Sequence, residues 1–418
     1  MHDPAKVDAL FLSHAHTDHA GNIPNLVKKG FHGPIRTTPA TRDLSQWMIL
    51  DSARIQENDA EFVNKKRANR GEPPIEPLYT TADAEDALQL FTDIPYGKPV
   101  EMVPGVTAEV FEAGHILGST VSVFNIEENG RKIRLGFSGD LGRKNTPIIR
   151  DPVYLEDIDY LILESTYGNR FHKSRDQAQD ELRRIVQDAI DRGGKVIIPS
   201  FAVGRAQELV YSLHFMMESG ALPRIPVYMD SPLAVNVSKV FRTHREIHDE
   251  IAQDFAQDAT SHDIFNFAGL TYVGSADESK ALNDKPGPMV IISASGMCET
   301  GRILHHLRNN IENPRNTILI VSWQAPNTLG RRLADKEPRV KIFGESYNVR
   351  AKVEIINGYS GHADQTGLLE WALHLKGRLK KVFLVHGEPE PADALAAKLR
   401  EGGIPEVYYP ELHDTASL

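Results

Sequence analysis

The 418 residues exceed what one ordinary domain uses, and 41% hydrophobic residues supply enough apolar material for more than one core. A formal net charge of −10 excludes a surface coated uniformly by nucleic acid, but not a local basic cleft, because phosphate contacts follow local charge. A single cysteine, Cys298, excludes an intrachain disulfide, and no apolar run is long enough to span a bilayer.

The opening residues, "MHDPAKVDALF", have neither the basic start nor the cleavage site of a signal peptide, so a cytoplasmic location and no membrane partner are expected. Short apolar, often β-branched runs predict strands at 7–12, 106–111, 120–126, 132–137, 160–163, 195–198, 225–229, 289–292, 317–321, 352–356 and 381–385. Helical patterns fill 176–192, 204–219 and 365–375. Residues 57–80, with "NKKRANR" ahead of a Pro-rich stretch, read as an exposed helix end and loop. Strands alternating with helices predict an α/β protein, with 175–345 a compact α/β unit of its own. Cys298 reads as a small core residue.

Outside that unit, the residues just past each strand carry the chemistry. His14, His16, Asp18 and His19 come after 7–12; His115 after 106–111; Asp140 after 132–137; Glu164 after 160–163; His362 after 352–356; His386 after 381–385. Sites in α/β sheets are built at the carboxyl ends of strands, and histidines with carboxylates suit a transition metal. In an extended turn His14 and His16 point the same way and can face one ion. Asp18 and His19 are placed for a second, and the two oxygens of Asp140 can bridge. So many such groups this close would repel and desolvate one another without a cation. The other eleven histidines, His2, His32, His172, His214, His244, His248, His262, His305, His306, His374 and His413, read as ordinary core or surface residues, with His305–His306 on a helix surface.

"SHAHTDH", His115 in "AGHILGS" and Asp140 in "FSGDLG" resemble motifs 2, 3 and 4 of the metallo-β-lactamase fold. Glu164 in "LILESTYGNR", His362 in "GYSGHAD" and His386 in "LVHGE" resemble motifs A, B and C of the β-CASP nucleases. The likeness runs over nearly the whole chain and is similar to bacterial and archaeal relatives of the cleavage and polyadenylation endonuclease subunit. It implies an αββα sandwich with an inserted α/β β-CASP domain: 1–174, the insertion at 175–345, and a return at 346–418. It implies two zinc ions, the first on His14, His16 and His115, the second on Asp18, His19 and His386, with Asp140 bridging. His362, oriented by Glu164, would be the general acid. A hydroxide activated by both metals would cut single-stranded RNA, leaving a 5′-phosphate and a 3′-hydroxyl. Histidine at motif C goes with RNA-cleaving members.

Ser360, Gly361 and Ser295 are candidate substrate contacts in tight loops, Arg302 and Arg205 candidate phosphate contacts, with Arg170, Arg331 and Arg332 also available to line a basic cleft. Tyr167, Phe201 or Tyr359 could stack bases. The family pattern also implies opening strands and an aspartate motif ahead of residue 10. The expectation is therefore a chain lacking those strands, as a mis-assigned start or a fragment, with an uncovered strand edge and weakened metal binding or activity. A homodimer is compatible with the sequence. Two other readings stay open: an impaired scaffold subunit of an RNA-processing complex, and a hydrolase of DNA or a small ester.

Overall fold

The computed structural model describes residues 3–259 and 262–418, which leaves the reading of His2 outside the described residues. The chain divides into two compact units. The first comprises 1–144, 150–171 and 362–418, the second 145–149 and 172–361.

The first unit is built on two sheets. The larger has seven strands, in the order Val407–Tyr408, Lys381–Val385, Tyr160–Glu164, Arg131–Phe137, Thr120–Glu128, Val106–Glu112 and Val100–Val103. Lys381–Val385, Tyr160–Glu164 and Arg131–Phe137 run parallel and side by side, with Val385 opposite Glu164 and Phe137 opposite Ile162. Two antiparallel steps further, Val106–Glu112 points the same way. Four strands therefore end on one edge of the sheet, and each ends next to a chemistry-bearing residue.

The smaller sheet pairs Leu10–Phe11, Ile35–Thr37 and Phe91–Asp93 in parallel. Phe11 meets Phe124 of the larger sheet edge to face at 5.3 Å. Helices Pro39–Ala68 and Thr81–Leu88 cover the small sheet, where Ile49, Ala53, Ala84 and Ala87 join one core. Gln365–Leu373 and Pro389–Glu401 cover the large one, burying Leu368, Trp371, Leu395 and Leu399. Pro389–Glu401 starts on a proline, buries Ala392, Leu395, Ala396 and Leu399 on one face, and ends on Lys398 and Arg400, as its pattern requires. Each such buried leucine contributes about 1.5–3 kcal/mol.

The second unit carries a six-stranded, all-parallel sheet in the order Leu270–Tyr272, Val227–Met229, Met289–Ser293, Lys195–Pro199, Thr317–Ile320 and Lys352–Ile355. Its central strands are buried along their whole length, which explains their unbroken apolar sequence. The sequence pattern places the return to the first unit near 346. By contacts, 346–361 stay with the second unit, because Lys352–Ile355 pairs with Thr317–Ile320.

The long strands stand where the apolar runs predict them. The run 7–12 narrows to Leu10–Phe11, and short strands such as Ile35–Thr37, Phe91–Asp93, Leu270–Tyr272 and the hairpin Arg339–Ile342/Glu345–Asn348 carry no local signal. In pieces this short the neighbouring strand decides pairing, not the local pattern. "NKKRANR" does close an exposed helix end, at the end of Pro39–Ala68, and Cys298 is buried.

Candidate metal centre

All nine residues of the strand-end constellation lie in the first unit. His14 follows the Leu10–Phe11 strand, and the Ser13 hydroxyl stands 3.1 Å from its Nδ1, which leaves Nε2 turned the other way. Asp18 and His19 ride the single helical turn Thr17–Ala20. The His115 loop is pinned by the Ser119 hydroxyl, which accepts from the amides of His115 and Ile116 at 3.1 and 3.2 Å.

The Asp140 loop needs its glycines. Gly139 has φ +52°, and a Cβ there would stand 2.9 Å from the Thr120 carbonyl. At Gly142 a Cβ would fall 1.8 Å from the Gly114 carbonyl oxygen, and its amide donates to Ala113 at 2.7 Å. The loops carrying His115 and Asp140 therefore lie backbone against backbone. His386, a non-glycine at φ +53°, holds a left-handed conformation that costs on the order of 1–3 kcal/mol.

The Asp140 carboxylate is the hub, its side chain only 1% exposed. Its Oδ2 faces His14 Nε2 at 3.2 Å and His115 Nε2 at 3.4 Å. Its Oδ1 faces His19 Nε2 at 3.3 Å and His386 Nε2 at 3.5 Å. His16 Nδ1 lies 3.0 Å from His115 Nε2, and Asp18 lies 3.6 Å from His386 Nε2. Donor atoms thus gather into two neighbouring groups, His14, His16, His115 and Asp140, and Asp18, His19 and His386, with Asp140, Glu164 and His362 forming a third that shares Asp140, each within 4.8 Å.

The inward atoms find no hydrogen-bond partner: His14 Nε2, His19 Nε2 and both Asp140 oxygens are buried and unsatisfied. Buried polar atoms are normally paired, so converging orphan nitrogens and oxygens fit a cation that they would share. Imidazole and carboxylate are donors suited to zinc. The electrostatics of the first group agree. Burial drives the imidazoles of His14, His16 and His115 below their ordinary range, keeping them neutral as ligands must be. Burial pushes the Asp140 carboxyl up, but His14 and His19 outweigh it and hold it ionised.

His362 is different. Its Nδ1 lies 3.0 and 3.2 Å from the two oxygens of fully buried Glu164. Glu164 is itself held by the amides of Leu141 at 2.8 Å and Thr166 at 3.3 Å. Burial alone would lower the His362 imidazole, yet Glu164 reverses this and lifts it to about 9. Its Nε2 points toward Asp140, 3.9 Å from Oδ2. The arrangement can hold a proton at Nε2 beside the cluster.

The remaining candidates scatter. Ser360 and Gly361 are half-buried just ahead of His362, and Ser295 is half-buried with its hydroxyl accepting from the Glu299 amide. Arg205 and Arg302 are not available as expected. Arg205 is buried and ion-paired with Glu208, which also pairs with Arg175. Arg302 donates to Asp230 at 2.6 Å and to the carbonyls of Val273 and Gly274. Arg331 is paired with Asp335. Tyr359 is buried between the Arg175 and Arg205 guanidiniums, so its ring is no platform, whereas Tyr167 stands 5.9 Å from the His362 ring. His306 departs from its surface reading: it is fully buried against Asp230 at 2.5 Å, while neighbouring His305 is exposed. The supporting hydroxyls of Ser13 and Ser119 are missed by the sequence pattern, although each lies within four residues of the histidine it serves.

Comparison with known proteins agrees with this geometry. Residues 3–200 match the metallo-beta-lactamase superfamily, 206–333 the Beta-Casp domain, and 346–410 the Zn-dependent metallo-hydrolase RNA specificity domain. Ribonuclease TTHA0252 of Thermus thermophilus is 37% identical over 399 residues, covering 95% of this chain and 85% of that protein. Transcription termination factor FttA is 30% identical in Thermococcus kodakarensis and in Methanocaldococcus jannaschii, over 412 and 414 residues. This chain spans 60% and 62% of the length of those two archaeal relatives. Among the described residues no helix is long and apolar enough to cross a membrane. With three domain matches in order and a relative this similar along nearly its whole length, the chain belongs to the metallo-β-lactamase β-CASP family of RNA-specificity metallo-hydrolases.

Proposed function

We propose that this chain is a zinc-dependent ribonuclease that hydrolyses phosphodiester bonds of single-stranded RNA, leaving 5′-phosphate and 3′-hydroxyl ends. The observation that carries the reading is the Asp140 hub: two groups of imidazoles and carboxylates with orphaned inward atoms, beside a proton-bearing His362. His14, His16 and His115 would hold one zinc, Asp18, His19 and His386 a second, and Asp140 would serve both. When bound, such a pair supplies positive charge for phosphate oxygens and a water of lowered pKa. The likeness to a bacterial ribonuclease and the match to an RNA specificity domain favour RNA over DNA or a small ester.

The chain's own residues do the rest. Glu164 fixes the His362 ring through Nδ1 and stabilises its protonated form, so Nε2 can give its proton to the departing 3′-oxygen. The hydroxyl and amide of Ser360 and Gly361, just ahead of it, are placed in sequence to contact the substrate phosphate. Asp18, more exposed than the other carboxylates of the cluster, closes the second group from the solvent side.

The test uses purified protein loaded with zinc, end-labelled single-stranded RNA and the matching DNA. Cleavage of RNA alone, lost on chelation and restored by zinc, is the expected result. Equal cleavage of DNA, or RNA cleavage indifferent to chelation, would overturn the reading.

A further inference from the structure

The second unit places two exposed aromatic rings at the exits of neighbouring parallel strands. Phe201 follows Lys195–Pro199 and Trp323 follows Thr317–Ile320, and those strands are paired, Ile318 opposite Ile197. Each ring is 41% exposed, where the apolar side chains of both strands are buried. A third strand, Met289–Ser293, pairs with Lys195–Pro199 and leads into Ser295 and Gly296.

These three strand-end loops are tied together. Gly296 lies directly against Phe201: a Cβ there would stand 3.1 Å from the Phe201 nitrogen and 3.2 Å from its ring carbons. The buried Gln324 amide donates to the Gly296 carbonyl at 3.0 Å and to the Ser322 carbonyl at 3.1 Å. The Gly330 amide donates to Met297 at 3.1 Å. Gly330 also gives Gln324 its room, since a Cβ there would stand 1.7 Å from the Gln324 side-chain oxygen. The rings are therefore held on a braced surface, not on loose loops. The same strand-end loops carry the polar, half-buried Ser295 and Ser322, so the exposed rings stand among polar residues and not on a wholly apolar face.

We propose that Phe201 and Trp323 form a base-stacking platform for single-stranded RNA at the carboxyl edge of the second unit's sheet. Separate exposed rings over polar loops suit unpaired bases, each of which offers a π face whatever its identity. Ligands of parallel α/β sheets bind outside the carboxyl ends of the strands, where both rings stand. The inference rests on the RNA reading of the metal centre and adds where bases, not phosphates, are held.

The experiment is binding, not turnover. Phosphorothioate-linked single-stranded oligoadenylate, which resists hydrolysis, is titrated into the full zinc-loaded chain and followed by fluorescence anisotropy and by tryptophan emission. Trp371 is buried and Trp47 half-buried, so Trp323 is the accessible reporter. Single strand should quench tryptophan emission and duplex should not, and Trp323→Phe should remove the quench while keeping most of the affinity. Phe201→Ala and Trp323→Ala should each weaken binding about five- to a hundredfold, with the salt dependence of the wild type, because no phosphate contact is lost. Tight wild-type binding unaffected by both alanine variants would overturn the platform and leave the ribonuclease reading standing. No binding of single-stranded RNA by the wild type would overturn both.

Discussion

Each unit buries an aspartate at the end of a strand and surrounds it with histidine, and the two surroundings differ in kind. In the first unit five imidazoles, of His14, His19, His115, His362 and His386, approach Asp140 within 4 Å, and both carboxylate oxygens remain without a hydrogen bond. In the second unit Asp230 follows Val227–Met229 and is saturated. Ser279 donates to it at 2.5 Å, His306 meets it at 2.5 Å, and Arg302 donates at 2.6 Å. His306 spends its other nitrogen on Asn283 at 3.0 Å. Residue types alone do not separate these clusters. The difference lies in whether the polar atoms satisfy one another or converge unsatisfied on a common point, the first giving a brace and the second a place for a cation.

Substitutions should pull the two clusters apart. The largest effect belongs to Asp140→Ala, which removes the one side chain shared by both donor groups. Zinc content measured on the purified variant should fall from two ions toward none, with RNA cleavage lost, while the protein stays folded. Next, His362→Ala should lower kcat by about two to four orders of magnitude and leave zinc content intact, which separates proton donation from metal holding. Loss of zinc in that variant would merge the two roles.

Asp230→Ala makes the reverse prediction. Taking one partner from a buried ion pair costs about 3–5 kcal/mol, read as a lower urea midpoint, with zinc content unchanged. Its pH dependence has a definite sign. Burial pushes the Asp230 carboxyl up, but His306, Ser279 and Arg302 outweigh this and hold it below the ordinary 3.8. A depressed folded value means that its stabilisation is complete above about pH 4 and fades as pH falls through the folded value. Unfolding curves for wild type and Asp230→Asn should therefore converge in acid. The smallest effect is that of Ser13→Ala, which frees the His14 ring and should weaken zinc binding about ten- to a hundredfold, measured by competition with a chelator.

The same contrast explains which features are legible in the sequence. His14, His16, Asp18, His19, His115, Asp140, Glu164, His362 and His386 stand out because each comes soon after a strong strand signal, and the strands Lys381–Val385, Tyr160–Glu164 and Arg131–Phe137 then bring their ends to one edge. His306 does not read as buried, although its helix carries a clue: the buried positions Ile303, His306, Leu307 and Asn310 follow the i, i+3, i+4, i+7 spacing of an inward face. Asp230 is silent because one aspartate after a three-residue strand has no local signature. Arg205 and Arg302 are plausible phosphate contacts in sequence; the partner of Arg205, Glu208, sits one helical turn on and is a local i,i+3 pair, whereas Asp230, the partner of Arg302, is brought to it only by tertiary folding. Hydroxyl supports such as Ser13 and Ser119 become visible only once the loop geometry is known.

The most direct measurement is anomalous diffraction at the zinc edge from crystals of the full chain grown with zinc. Two peaks are predicted to flank the Asp140 carboxylate, one beside each oxygen, with none at Asp230 and His306. An empty Asp140 site in zinc-replete crystals, or a peak between Asp230 and His306, would contradict the assignment of Asp140 as the metal hub.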